Sequence, residues 1–380
     1  MKTLKSNTTS SVLCAAAFIF GMSQYAPAVE ISGSMQLEAY GSSDFEGNDL
    51  IHDTDTDMDL AVTHRFNNRW SATVQMEAHG NDTKIWDFFD GAFVQYRYSD
   101  KFTVKLGDMS FVEGTFKYYG YDDEEKFAAG MRSHDVRGIE IYAYGLQLGA
   151  GFARGSNDEN GSDGHGHETY DLHLAYQLDA GKQCFRIFGD YKSLQDKHLN
   201  EIHGGLDAKM LFGPASLHAV YGIHVDQLTE SEPKAAHAIL VEPEVKIGSF
   251  DIKGSALYTI VDSKKQPTVH GWDQDYYTLM SRKYEVPEYF FAYIEPSFIF
   301  NSALAIGIPV EYHTNSPVNY KDISYETIES GARVYLTPVE NLNVTTMAKI
   351  TVPIGDEDME FNNSNDNTNF TFGAELTYSF

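Results

Sequence analysis

The sequence predicts an all-β protein, a single closed antiparallel up-and-down β-barrel of about eighteen strands, with sixteen as the alternative. Three observations predict it. Apolar and polar residues alternate with period two along most of the chain, as they do in strands whose two faces meet different surroundings. The connections sort by parity, short after even strands and long after odd ones. The final strand is a period-two run of aromatic and apolar residues that closes on Phe380. No helical period of comparable length competes with this pattern.

The N-terminal residues form a separate unit. Lys2 and Lys5 precede the short apolar run Val12–Phe20, and Ala26-Pro27-Ala28 offers the small residues that a signal peptidase requires. Residues 1–28 are therefore expected to be a cleaved signal peptide, with 29–380 forming one barrel domain that begins at Val29. Leu13 before Cys14 is too bulky for a lipoprotein cleavage site. Cys184 is then the one remaining thiol, so no internal disulfide is available. No later stretch approaches the ~18 consecutive apolar residues of a membrane helix.

Charge narrows the partners. The chain has 28 basic and 55 acidic residues, a net of −27. Such a chain does not hold nucleic acid phosphates, and its acidity favours cations.

The strands follow in order, near 30–40, 57–66, 69–79, 90–98, 101–108, 134–144, 146–154, 168–177, 182–191, 201–212, 215–225, 236–247, 250–261, 288–300, 302–313, 323–336, 341–352 and 368–380. In the third, Trp70, Ala72, Val74, Met76 and Ala78 share one face, and Ser71, Thr73, Gln75, Glu77 and His79 the other. Tight turns are expected at Asn67-Asn68, Ser99-Asp100, Gly145, 178–181, Gly213-Pro214, Gly248-Ser249, Asn301 and 337–340. Longer polar segments, such as 41–56, 109–133, 155–167, 262–287 and 353–367, follow the odd strands. Short turns on one rim and long loops on the other characterise a transmembrane barrel. Closure satisfies every strand amide and carbonyl where lipid offers no partner. Trp70, Tyr98, Phe102, Phe212, Phe250, Phe300, Tyr378 and Phe380 fall near the short turns, where an interfacial girdle would sit.

On these features the chain resembles a bacterial outer-membrane porin over nearly all of 29–380. The strand number is closer to the sugar-specific and carboxylate-specific channels than to the sixteen-strand general porins. Tyr378 and Phe380 are similar to the terminal signal read by the barrel-assembly machinery. The resemblance implies a Gram-negative outer-membrane location, contact with its lipids and lipopolysaccharide, and passive diffusion of small hydrophilic solutes or ions. It leaves a homotrimer open. A structural or adhesive barrel with acidic surface loops is the rival expectation.

The resemblance also implies that 109–133, the loop after the fifth strand, folds inward and narrows the pore. It carries Asp122, Asp123, Glu124 and Glu125 beside Tyr118, Tyr119 and Tyr121. Strand alternation turns Arg65, Arg97 and Lys105 inward on the wall facing this acidic run. Arg186, Lys209, Arg333 and Lys349 are also expected inside, because a basic side chain facing mid-membrane lipid costs about 2–4 kcal/mol. His79, His173, His203, His218 and His224 are expected to face the lumen.

Metal signals are weak. Asp53-Thr54-Asp55-Thr56-Asp57 resembles the start of a calcium loop but lacks the central Gly and the distal Glu. Asp158, Glu159, Asp163, His165, His167 and Glu168 form one glycine-rich loop that could take a divalent cation, and Asp356–Glu360 is another acidic loop. No resident cofactor is expected. No nucleophile elbow, zinc-protease motif, phosphate loop or Cys pair occurs, so no enzyme is expected.

Overall fold

The computed structural model describes residues 29–43, 51–79, 89–114, 133–153, 168–194, 200–226, 234–261, 288–316, 325–354 and 368–380. Residues 1–28, expected to be a signal peptide, and most of the long segments lie outside these residues. The strands are β1 (Val29–Ser43), β2 (Ile51–Arg65), β3 (Trp70–His79), β4 (Phe89–Ser99), β5 (Phe102–Val112), β6 (Ser133–Ala143), β7 (Leu146–Ala153), β8 (Glu168–Ala180), β9 (Gln183–Leu194) and β10 (Glu201–Phe212). They continue with β11 (Ala215–Asp226), β12 (Lys234–Ile247), β13 (Phe250–Val261), β14 (Glu288–Asn301), β15 (Leu304–Gly307), β16 (Val310–Ser316), β17 (Tyr325–Val339), β18 (Leu342–Pro353) and β19 (Asn369–Ser379).

Apart from β15 and β16, successive strands pair antiparallel, and β19 pairs with β1 to close the sheet. The closing register runs from Ser34 opposite Ser379 to Ser43 opposite Phe370. Beyond it, Gly33 and Phe380 exchange both backbone hydrogen bonds at 3.0 Å. β15 and β16 both lie between β14 and β17, so they are two halves of one stave, separated at Ile308-Pro309. Proline has no N–H to give the ladder. The barrel is therefore an eighteen-strand, all-β antiparallel barrel.

All eight connections on the short-turn rim are described and are tight. Gly181, Gly213 and Gly248 take φ between +63° and +68° there, a conformation that costs glycine little. The last turn is Glu340-Asn341, later than expected, because β17 continues through Val339. The largest boundary correction is at β2. The aspartate-rich run expected in the loop 41–56 belongs to the strand, with Asp55, Asp57 and Asp59 on one face and Thr54, Thr56 and Met58 on the other. Its Asp-Thr alternation is itself a period of two.

The two faces of the sheet differ as a membrane requires. Leu106, Ile139, Leu148, Leu174, Ile187, Leu206, Ile239, Ile294 and Phe372 are exposed on the outside. Trp70, Tyr98, Phe212, Phe250, Phe300, Tyr378 and Phe380 are exposed beside the short turns, forming the expected girdle. The inward positions carry most of the buried polar side chains, with apolar residues such as Leu240 and Phe291 among them.

Candidate functional site: the lumen wall and the strand end that crosses it

At the end of β5 the chain turns across the inner surface. Met109 and Phe111 pack with Val136 of β6. The Phe111 ring stacks on His173 of β8, centroids 4.2 Å apart. It passes over Gly149 of β7, where a Cβ would stand 2.3 Å from Phe111 Cζ. Glycine there leaves the ring room. Two residues on, Glu113 (2% exposed) takes a hydrogen bond from Arg186 Nε at 2.7 Å and a second from Arg186 Nη2. Arg186 lies on β9, four strands further round, so Glu113, the residue just beyond β5, lies against the inside of the wall.

This anchor is one link in a polar chain. Arg186 also donates to Gln147 Oε1 at 2.6 Å, and Gln147 Nε2 donates to Glu140 at 3.0 Å. Lys105 Nζ stands 3.0 Å from Glu140 and over the Phe93 ring at 5.5 Å. On the other side, His173 Nε2 lies 3.4 Å from Glu113, and its Nδ1 bonds Asp190. Asp190 also approaches His203 Nδ1 at 3.5 Å, and His224 Nε2 is 3.5 Å from Glu201. His218 has a carboxylate at each ring nitrogen, Glu242 at 2.6 Å and Asp207 at 3.1 Å. Buried charges need such partners.

A second cluster spans β14, β15 and β17. Glu295, fully buried, meets Arg333 Nη1 at 3.1 Å. It also accepts from Tyr335 at 2.6 Å, from Ser297 at 2.9 Å and from Tyr293. Gly307 is opposite Arg333 in the ladder, and a Cβ there would lie 2.2 Å from Glu295 Oε1. Above it, Glu311, His313 and Glu329 bring their ligand atoms within 4.8 Å of one another, a set that could hold a metal ion. Lys349 Nζ, 2.8 Å from Glu329, puts a positive charge on that group already.

The wall from β19 to β3 is acidic. Glu38 lies directly opposite Glu375 on one side and Asp55 on the other, and Asp59 lies opposite Glu77. Like charges so placed repel and draw mobile cations to that side of the lumen.

Of the residues singled out from sequence, Asp122, Asp123, Glu124 and Glu125 lie outside the described residues, as do Asp158, Asp163, His165 and His167. Arg65 sits at the short-turn end of β2, half exposed, paired with Glu30 at 2.8 Å. Arg97 is exposed near the β4–β5 turn. Lys105 is the member of the three that joins the polar chain. His173, His203, His218 and His224 are all buried on the inner face, and so is Arg333. Sequence reasoning did not single out Glu113, Glu140, Asp190, Asp207, Glu242 or Glu295. For the five on strands the signal was present, since each occupies an inward position of its strand's alternation; Glu113 falls just past the end of β5.

A closed sheet with an apolar, aromatic-girdled exterior and a charged, polar interior defines a transmembrane β-barrel channel. The chain belongs to the Gram-negative porin family, whose model matches residues 8–280. It is an outer-membrane protein and a channel for diffusion across that membrane. No curated protein matches it by sequence. Among solved structures it is similar to a BenF-like porin from Pseudomonas fluorescens, at 11% identity with a TM-score of 0.56, covering 94% of this chain and 99% of that one. It is similar also to OpdK of Pseudomonas aeruginosa, crystallised with vanillate, at 14% identity and a TM-score of 0.52, covering 92% and 98%. The trimer form of OmpT from Vibrio cholerae matches at 10% identity and a TM-score of 0.52, covering 93% and 100%. At these identities the likeness is one of fold.

Proposed function

We propose that this porin is a non-catalytic, cation-preferring channel for small hydrophilic solutes, narrowed by the segment that leaves β5, and that three copies assemble. The observation that supports the reading is the seat of Glu113 on Arg186, which holds the residue just beyond β5 against the inner wall. The acidic face of β19 to β3 supports the preference for cations. The OmpT trimer supports the assembly. In this reading the channel works without a cofactor. Phe380 and Tyr378 serve the barrel-assembly machinery, and the exterior meets lipid and lipopolysaccharide.

Reversal potentials in planar bilayers test it. Changing Asp122, Asp123, Glu124 and Glu125 to Asn and Gln should lower cation preference, and removing Arg65 and Arg97 should raise it. Both effects should shrink as salt rises, because the Debye length falls from about 10 Å at 0.1 M to about 3 Å at 1 M. Selectivity unchanged in both variants would overturn the constriction. A barrel that never conducts would favour the adhesive rival.

A further inference from the structure

On the inner face, where β16 meets β17, two carboxylates stand against each other. The register sets Glu311 directly opposite Glu329, a like-charged pair that weakens a sheet and that a cation between them relieves. His313, two residues on from Glu311, shares that face. The Phe291 ring of β14, fully buried and opposite His313 in the ladder, packs on the imidazole with centroids 4.9 Å apart. So held, the imidazole brings Nε2 to 3.5 Å from Glu311 Oε2.

These distances suit a metal ion. Zinc lies about 2.0–2.1 Å from imidazole nitrogen and carboxylate oxygen, so tetrahedral neighbours stand about 3.3 Å apart. The Glu311–His313 edge is already close to that length. All three ligand atoms lie within 4.8 Å of one another, and rotation of Glu329 closes the rest. An imidazole among the donors favours zinc-class transition ions over calcium or magnesium, which take oxygen ligands. The side chains of His313 and Glu329 stay 14% and 16% exposed, so an ion enters from the lumen and water takes the remaining position. Glu311 stands seven residues above Leu304, the short-turn end of its stave. At about 3.3 Å per residue and a tilt near 40° that is roughly 18 Å up, inside the pore.

We infer that Glu311, His313 and Glu329 form a binding site for a zinc-class divalent ion on the lumen wall, and that Lys349 guards it. Lys349 Nζ lies 2.8 Å from Glu329 Oε2, bringing one positive charge to two carboxylates, while Arg333 below turns to Glu295 at 3.1 Å. Lysine is a point charge on a flexible stem, and a divalent ion brings twice its charge and can displace it. The ion arrives from the pore, and diffusion does not need it. Filled, the site adds positive charge to the lumen and lowers cation flow, a consequence that rests on the cation preference proposed above.

The test uses the full mature protein carrying Cys184→Ser, which removes the thiol as a zinc ligand. Calorimetric titration with zinc chloride should show one equivalent that His313→Gln and Glu329→Gln each lose while heat modifiability stays unchanged. Excess magnesium or calcium should not displace it. Lys349→Met should bind zinc about tenfold more tightly, since an ammonium about 6 Å from a divalent ion opposes it by that factor even in water. Should the glutamine variants fail to fold, this gain decides, because misfolding does not tighten a site. In bilayers, zinc should shift the reversal potential of the parent toward anions and leave His313→Gln unmoved. Zinc affinity that none of the three substitutions changes, or an equivalent lost instead on changing His165 and His167 to Gln, overturns the site. A parent without cation preference overturns the earlier reading and leaves the site, which the titration judges alone.

Discussion

Glu113→Gln should loosen the strand end that crosses the lumen wall. The substitution keeps the shape and removes the charge that two Arg186 hydrogen bonds meet. Breaking one side of a fully buried ion pair costs about 3–5 kcal/mol. Here Arg186 keeps the Gln147 oxygen at 2.6 Å and is 20% exposed, so about 2 kcal/mol is the better figure. At 1.4 kcal/mol per tenfold that is a factor of about 30. A seat occupied about 99% of the time would then be occupied about three-quarters of the time. Single-channel recording reads this directly. The variant should spend on the order of twentyfold more time in a second, noisier current level, and Glu113→Asp should recover part of the quiet state. Traces that superimpose on the parent protein would refute the anchoring role and free the segment after β5 from the wall.

Three further outcomes follow from the same geometry. Arg333→Met leaves Glu295 buried without its cation and should cost about 3–5 kcal/mol, read as a lower temperature of heat modification; adding Glu295→Gln should restore most of it, and a single variant as stable as the parent would contradict the pairing. Gly149→Val drives a side chain into Phe111, where even a Cβ would stand at 2.3 Å. It should cost about 1–3 kcal/mol and raise current noise, whereas a quiet, fully stable variant would show that the ring does not rest there. Deleting Phe380 removes the residue that exchanges both hydrogen bonds with Gly33, and should reduce heat-modifiable protein in the outer membrane; normal amounts would deny it a part in assembly.

The barrel was legible because its rules are local. Alternation in β3 and β19, and short turns such as Gly213-Pro214, need no knowledge of distant residues. The outer half of β2 was misjudged because aspartate suggests a loop, although in a lumen an aspartate on every second position is an ordinary strand pattern. The interruption at Pro309 was also missed, since the strand resumes in register beyond it. The wall site was less legible for a different reason. Glu113 and Arg186 are 73 residues apart, and only closure of the intervening strands brings them together. The inward histidines could be read from parity, but the carboxylates they meet depend on cross-strand register.

The seam between β1 and β19 has a consequence for the order of events in the cell. Ser34 has no native neighbour on that side until Ser379 has been synthesised, exported and laid beside it. Until then the growing sheet carries two unpaired edges, the kind of surface on which strands of separate molecules join. Pairing across so long a stretch of chain is slow on its own. The nascent barrel must therefore be chaperoned for as long as the seam stays open, and its hazardous period ends with the last strand. A truncated chain should then be a source of aggregates rather than a smaller pore.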